Sequence, residues 1–291
     1  YNQSHRPVCE QDTAVGHSVR AMYLYSGATD VAAKFDDPAL KAAMERLFES
    51  VSRRRMYVTG GLGSAAENEG FTEDYDLPND TAYVETCAAI GEIFWLQRMA
   101  RFDSERKYVD VLERALYNAM LVGVSLDGKK FFYSSPLIVK RGETDEYSNF
   151  HGHRSEWFSC SCCPPNVARL VASLGQYIYQ YKADEIAVNL FVDSEAEFDL
   201  ECGKVSLKQQ THYPWDGEMS YTIAVNEPKV FALRLRVPEW CNNQFQLTVN
   251  DEKVNVTHVN GYVRLQREWQ SGDVVQYHLE MRPRRVYAHP K

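Results

Sequence analysis

Up to about residue 182 the apolar residues return at every third or fourth position, and beyond it at every second. Leu40, Ala43, Met44, Leu47, Phe48 and Val51 form one such stripe, and Tyr108, Val111, Leu112, Ala115, Leu116 and Met120 another. Residues three and four apart share one face of a helix, so both segments are predicted to be amphipathic helices. The same period predicts helices over about 12–26 and over 81–100, the latter with Tyr83, Val84, Cys87, Phe94 and Trp95 on one side. A further helix is predicted over 164–181, with Val167, Leu170, Val171, Leu174 and Ile178 along its stripe. Pro164-Pro165 suits the first turn of that helix, where no N–H is needed for the ladder.

In the C-terminal third, 186–192 and 231–237 read as strands, and Asn260-Gly261 between two apolar-alternating runs is a type I′ hairpin signal. The pattern predicts a mainly helical part over 1–182 followed by a β-sandwich over 183–291. The boundary at Lys182-Ala183-Asp184 carries no Pro/Gly/Ser linker, so close packing of the two parts is expected. No internal repeat interrupts either part.

Composition narrows the classes of function. The chain of 291 residues is 44% hydrophobic and 25% charged, ordinary values for a globular protein with a sizeable core. Its net charge is −8 and its basic residues are scattered apart from Arg53-Arg54-Arg55, which argues against nucleic acid as a partner. No apolar run approaches the roughly 18 residues of a membrane span, and the chain opens on no secretory pattern.

Among the short motifs, Gly61-Leu62-Gly63-Ser64-Ala65-Ala66 follows a strand-like Met56-Tyr57-Val58 but precedes a loop rich in Asp, Asn and Pro. A dinucleotide site needs a helix N-terminus there, so that reading fails. A flexible glycine-rich loop is better suited to bringing Glu67 or Glu69 into a cleft as an acid/base; a solvated turn is the bland alternative. Asp74, Asp76, Asp80 and Glu85 match four positions of a calcium loop. Pro78 and Asn79 stand where a ligand and the turn glycine belong, so it is rejected. His17 and the pair His151 and His153 are candidates for a polar pocket. Neither a Gly-x-Ser-x-Gly elbow nor a His-Glu-x-x-His helix is present.

The most specific chemistry lies in Cys160-Ser161-Cys162-Cys163, followed by Pro164-Pro165-Asn166, and in Glu85-Thr86-Cys87. Three thiolates and a carboxylate suit one zinc ion. The vicinal pair lacks the Cys-x2-4-Cys spacing of structural zinc sites, so a functional site is one alternative. The other is that Cys87 is a small buried hydrophobe and the cluster forms a disulfide or is incidental.

Gly60-Gly61-Leu62-Gly63-Ser64, Glu69, Tyr75-Asp76-Leu77-Pro78-Asn79-Asp80-Thr81, Tyr83-x-Glu85-Thr86-Cys87 and Trp157-Phe158-x-Cys160-x-Cys162-Cys163-Pro164-Pro165-Asn166 occur in this order. With Gln11–His17 at the start, the chain resembles the β-L-arabinofuranosidases of glycoside hydrolase family 127 over most of its length. The resemblance implies an (α/α)6 toroid followed by β-sandwich material. It implies zinc held by Glu85, Cys87, Cys162 and Cys163, with Cys162 as nucleophile, Glu69 as general acid/base and no role for Cys160. It implies retaining hydrolysis of terminal β-L-arabinofuranosyl groups and contacts to sugar hydroxyls by His17, His153, Tyr83 and Glu156. Only the resemblance selects Glu69 over Glu67 and Cys162 over Cys163.

About five helices are predicted where six helical hairpins are needed, so the toroid is expected to be incomplete and the chain to be an interior piece of a longer enzyme. The expected partners are an arabinofuranosyl oligosaccharide or glycoconjugate and, as an option, a second copy of the chain in a homodimer. Seven cysteines, four of them in candidate sites, favour a reducing cytoplasm. Sequons at Asn2, Asn79 and Asn255 leave secretion or the periplasm open. A related glycosidase for another uncommon sugar and a non-catalytic protein with structural zinc are the alternatives.

Overall fold

The computed structural model of the chain describes residues 2–138, 152–254, 256 and 258–290. Two compact units form, one from 1–103, 111–172 and 288–291, the other from 104–110 and 173–287.

In the first unit, α1 (Ser18–Phe35), α2 (Pro38–Ser50) and α3 (Thr86–Asp103) pack through the apolar stripes. Asp37 starts α2 by accepting from the N–H groups of Ala39 and Leu40, and Pro38 occupies the first turn. Ala43, Met44, Leu47 and Phe48 are its buried face. The α1 and α3 helices approach closely at Gly91, where a Cβ would lie 2.9 Å from Met22 Cβ. Beside that contact the Trp95 indole N–H donates to Thr29 Oγ1 at 3.1 Å, so the large ring is buried with its polar atom satisfied. Next come α4 (Arg106–Ala115), continued by a π-helical stretch Leu116–Met120, then α5 (Cys163–Ser173) and the short α6 (Gly175–Ile178).

Three helix boundaries differ from the pattern. The first helix begins at Ser18 rather than near 12, because Gly16 adopts φ +74° and the preceding residues run as loop and extended chain. The third begins at Thr86 rather than 81. Tyr83 and Val84 are buried as their periodicity demands, yet their backbone is laced to neighbouring loops: Val84 N–H donates to Gly63 O, and Ser135 N–H is shared between Tyr83 O and Val84 O. The last predicted helix ends at Ile178, and its tail becomes β1 (Tyr179–Lys182), pairing antiparallel with β2 (Glu185–Val188).

The second unit is a sandwich of two sheets. Its strands are β1, β2, β3 (Ser194–Leu200), β4 (Gly203–Thr211), β5 (Glu218–Val225), β6 (Lys229–Arg236), β7 (Phe245–Val249), β8 (Glu252–Lys253), β9 (His258–Val259), β10 (Tyr262–Trp269) and β11 (Val274–Leu279). One sheet runs β1-β2-β6-β10-β9 and the other β3-β4-β5-β11-β7-β8, with β2 and β6 parallel and every other pair antiparallel. Inward residues of both sheets share one core, including Val205, Leu207, Phe231, Leu233, Trp269 and Tyr277. Asn260 and Gly261 both have positive φ, +54° and +80°, as a type I′ turn between β9 and β10 requires.

The fold class is therefore as the periods predict, a helical part followed by a β-sandwich. Among the described residues there are six α-helices, one of only four residues, fewer than the six helical hairpins of a closed toroid require. No helix of the described residues is long and apolar enough to cross a membrane.

Candidate metal and catalytic site

The chemistry-bearing residues converge on helix starts and the loops between them. Glu85 ends an extended segment, bridges Ser134 and accepts the Ala88 N–H in front of α3, which places Cys87 in the first turn. Cys163 opens α5 with Cys162 just before it, and Asn166 N–H donates to Cys162 O to tie the turn. Val84 stands at φ +43°, a costly conformation for a β-branched residue, so the backbone that presents Glu85 is strained.

The ligand atoms of Glu85, Cys87, Cys162 and Cys163 all lie within 4.8 Å of one another. Cys87 Sγ is 3.4 Å from Cys163 Sγ, and Cys162 Sγ is 3.8 Å from it. Glu85 Oε1 is 3.5 Å from Cys162 Sγ and 3.8 Å from Cys163 Sγ. A tetrahedral zinc with sulfur near 2.3 Å and oxygen near 2.0 Å requires S···S edges of about 3.8 Å and S···O edges of about 3.5 Å. The Cys162–Cys163 and Cys162–Glu85 separations equal those edges, the Cys87–Cys163 separation is shorter and the Cys163–Glu85 one longer, and Glu85 Oε2 is buried without a hydrogen-bond partner. The four residues could hold a metal ion, and their donor chemistry suits zinc. All seven cysteines are free thiols, so the disulfide alternative for the cluster is not what the chain adopts.

Burial separates the ligands. Glu85, Cys87 and Cys163 are 2%, 1% and 0% exposed, whereas Cys162 is open to solvent. Burial, with the adjacent charges of Cys162 and Glu69, pushes the Glu85 carboxyl well above its ordinary range. Hydrogen bonds with Cys163 and then Cys87 pull the Cys162 thiol down from its ordinary range. Cys87 is pushed up mainly by its bond to Cys162, and Cys163 mainly by burial. Tyr133 is a further neighbour, its hydroxyl 3.3 Å from Cys162 Sγ and its ring edge-on to Phe158. No spacing rule connects position 133 to 162, and only the chain path brings them together.

A second grouping joins the first at Glu85: His17, Glu69 and Glu85 also place ligand atoms within 4.8 Å of one another. His17 Nε2 is 2.9 Å from Glu69 Oε2, and the Tyr83 hydroxyl donates to Glu69 Oε1 at 2.9 Å. Burial lowers the His17 pKa against the raising effect of Glu69, so the neutral imidazole can donate to the carboxylate. Glu67 is exposed, which separates it from the partly buried and doubly bonded Glu69. Tyr83 is fully buried. His153, Glu156 and Cys160 are exposed and belong to neither grouping, and His151 lies outside the described residues. Asp74 is engaged by Arg54 and Arg55 at 3.1 and 2.6 Å, an ion-pair role in place of calcium ligation.

Two family profiles match the chain: a β-L-arabinofuranosidase GH127 catalytic domain over residues 1–176 and a GH127 middle domain over 185–281. A non-reducing end β-L-arabinofuranosidase of Bifidobacterium longum subsp. longum is 36% identical over 288 residues, 97% of this chain and 43% of its own length. The crystal structure of a GH127 β-L-arabinofuranosidase from Geobacillus stearothermophilus T6 superposes with a TM-score of 0.95 at 46% identity, covering all of this chain and 46% of that one. A further GH127 β-arabinofuranosidase structure gives a TM-score of 0.93 at 40% identity, over all of this chain and 47% of its own. The chain thus spans about half the length of the relatives it matches. With catalytic and middle domain profiles together accounting for nearly all of it, the chain belongs to the GH127 β-L-arabinofuranosidase family.

Proposed function

We propose that this chain carries the reaction centre of a retaining glycoside hydrolase that releases terminal β-L-arabinofuranosyl residues. Zinc would be held by Glu85, Cys87, Cys162 and Cys163, and it would supply a positive charge that keeps the thiols ionised at neutral pH. The observation that carries this reading is the contrast within the cluster: three ligands are buried, and the one sulfur open to solvent is also the one whose thiol is pulled down.

Cys162 Sγ attacks the anomeric carbon of the sugar, and the C–O bond to the leaving group breaks as a protonated Glu69 gives its proton to the departing oxygen. Water then attacks the same carbon, Glu69 takes the water's proton and the C–S bond breaks, restoring the thiolate. Two inversions give net retention, with one thiolate replacing one carboxylate of the usual pair. Tyr83 and His17 hold the Glu69 carboxyl between them, so their role is at the acid/base; His153 and Glu156, exposed on the neighbouring segment, are proposed for sugar hydroxyls. A reducing compartment accompanies the proposal, because the chemistry needs free thiols.

The test is hydrolysis of an aryl β-L-arabinofuranoside with zinc content measured alongside. Cys162→Ser and Glu69→Gln are each expected to lose at least ~100-fold in kcat while remaining folded. Unchanged turnover in either variant overturns the assignment.

A further inference from the structure

The Glu69 carboxyl is presented from an unusual backbone. Its φ is +50°, in the left-handed region that a residue bearing a Cβ seldom occupies. Such a conformation persists only where surrounding contacts over-determine it. The hydrogen bonds supply those contacts. The Glu69 carbonyl accepts twice from one residue, from Ser18 N–H at 3.1 Å and from Ser18 Oγ at 2.9 Å. Glu69 N–H donates to Ala66 O, and Gly70 returns the chain against His17, so close that a Cβ on Gly70 would lie 2.0 Å from Gly16 O. Ser18 is itself fully buried in the first turn of α1, and its hydroxyl lies 3.2 Å from where a Cβ on Gly63 would be.

We infer that Ser18 is a positioning residue for the acid/base: its paired bonds to the Glu69 carbonyl hold that residue left-handed and thereby aim the carboxyl between Tyr83 and His17. The inference rests on Glu69 being the acid/base. Ser18 is fully buried and bonds the Glu69 carbonyl, so its effect is transmitted through the Glu69 backbone. Without the hydroxyl, one of two bonds opposing a disfavoured φ is lost, and the carboxyl samples orientations from which it cannot reach the leaving oxygen.

A misaimed acid matters most when the leaving group needs a proton. Ser18→Ala should therefore lower kcat about tenfold for an alkyl or disaccharide β-L-arabinofuranoside and less than about threefold for the dinitrophenyl glycoside, with KM nearly constant. Ser18→Cys, which keeps the volume but offers only a weak donor, should show the same divergence and serves if the alanine variant does not fold. Ser18→Thr, which keeps the hydroxyl, should recover most of the activity on the poor leaving group. Equal losses on both substrates, or none in either the alanine or the cysteine variant, overturn the positioning role. Glu69→Gln measured in parallel separates the two claims: if it collapses on the poor leaving group while the Ser18 variants do not diverge, only the positioning role fails; if it is unaffected, both fail.

Discussion

In the β unit the guanidinium of Arg236 is completely buried, yet it stands 2.5 Å from Asp110 Oδ1, donates to Asn189 O at 2.7 Å and lies over the Phe191 ring. In the helical unit Glu85 is nearly as buried, but two sulfurs crowd one of its oxygens and the other has no hydrogen-bond partner. Buried charge is tolerated when opposite charge and hydrogen bonds answer it, as around Arg236. Around Glu85 the groups that lie nearest are the thiols of Cys87, Cys162 and Cys163 and, on the other side, Glu69 and His17, a donor set that could hold a metal ion. The same test, asking what answers each buried charge, separates a structural ion pair from a metal site.

Each side of that contrast can be broken. Replacing Arg236 by Met leaves Asp110 without its buried partner and is expected to destabilise by roughly 3–5 kcal/mol in chemical denaturation, with zinc content unchanged. A loss of zinc in that variant would blur the distinction. On the proposed zinc site, a chelator is expected to lower the stability of the native protein by about 2–4 kcal/mol, read as a fall in the thermal midpoint. Cys87→Ser, lacking one ligand, should not respond to the chelator; a response equal to that of the native protein would contradict the ligand set.

Glu92 sharpens the contrast at the smallest scale. On α3 it is fully buried with neither oxygen bonded, and burial, opposed only by the charge of Arg114, raises its carboxyl pKa well above the ordinary range. In the unfolded chain the group ionises near pH 4.5, whereas in the folded chain it holds its proton to higher pH. The unfolded state therefore binds fewer protons above that pH, and stability declines as pH rises from about 4.5 towards the folded value. Glu92→Gln removes the titration. The variant should gain on the order of 1 kcal/mol at neutral pH and little near pH 4, so thermal midpoints of the two proteins should diverge as pH rises. Parallel pH profiles would show that Glu92 is answered by a partner.

Much of this was legible along the chain. Buried stripes marked the packed faces of α2 and α4, and Asn260-Gly261 marked its turn, because both depend on local geometry; in α5 the stripe held for Val167 and Leu170, whereas Val171 is exposed. Periodicity misplaced the start of α3, since Tyr83 and Val84 are buried by loop packing where a helix face would also bury them. It misplaced the tail of 164–181 as well: Tyr179 to Lys182 pair with β2, and tertiary pairing overrides a continuing helical stripe. Tyr133 and Ser18 were invisible at the site. A tyrosine in a loop and a serine at a helix start carry no chemical signature, and their roles come from which atoms lie opposite them.

By itself the sequence determined the two periods and hence the two kinds of architecture. It also determined the supply of three thiols and a carboxylate in two segments, while leaving a buried-core role for them open. Only the tertiary structure decided how those ligands divide. Whether a sulfur meets solvent, whether a carboxyl gains donors and whether a backbone is held left-handed depend on contacts between positions 14 to 78 residues apart, as between Tyr83 and Glu69 or Glu85 and Cys163. Local pattern encodes which face of an element is buried; it does not encode what that face will touch.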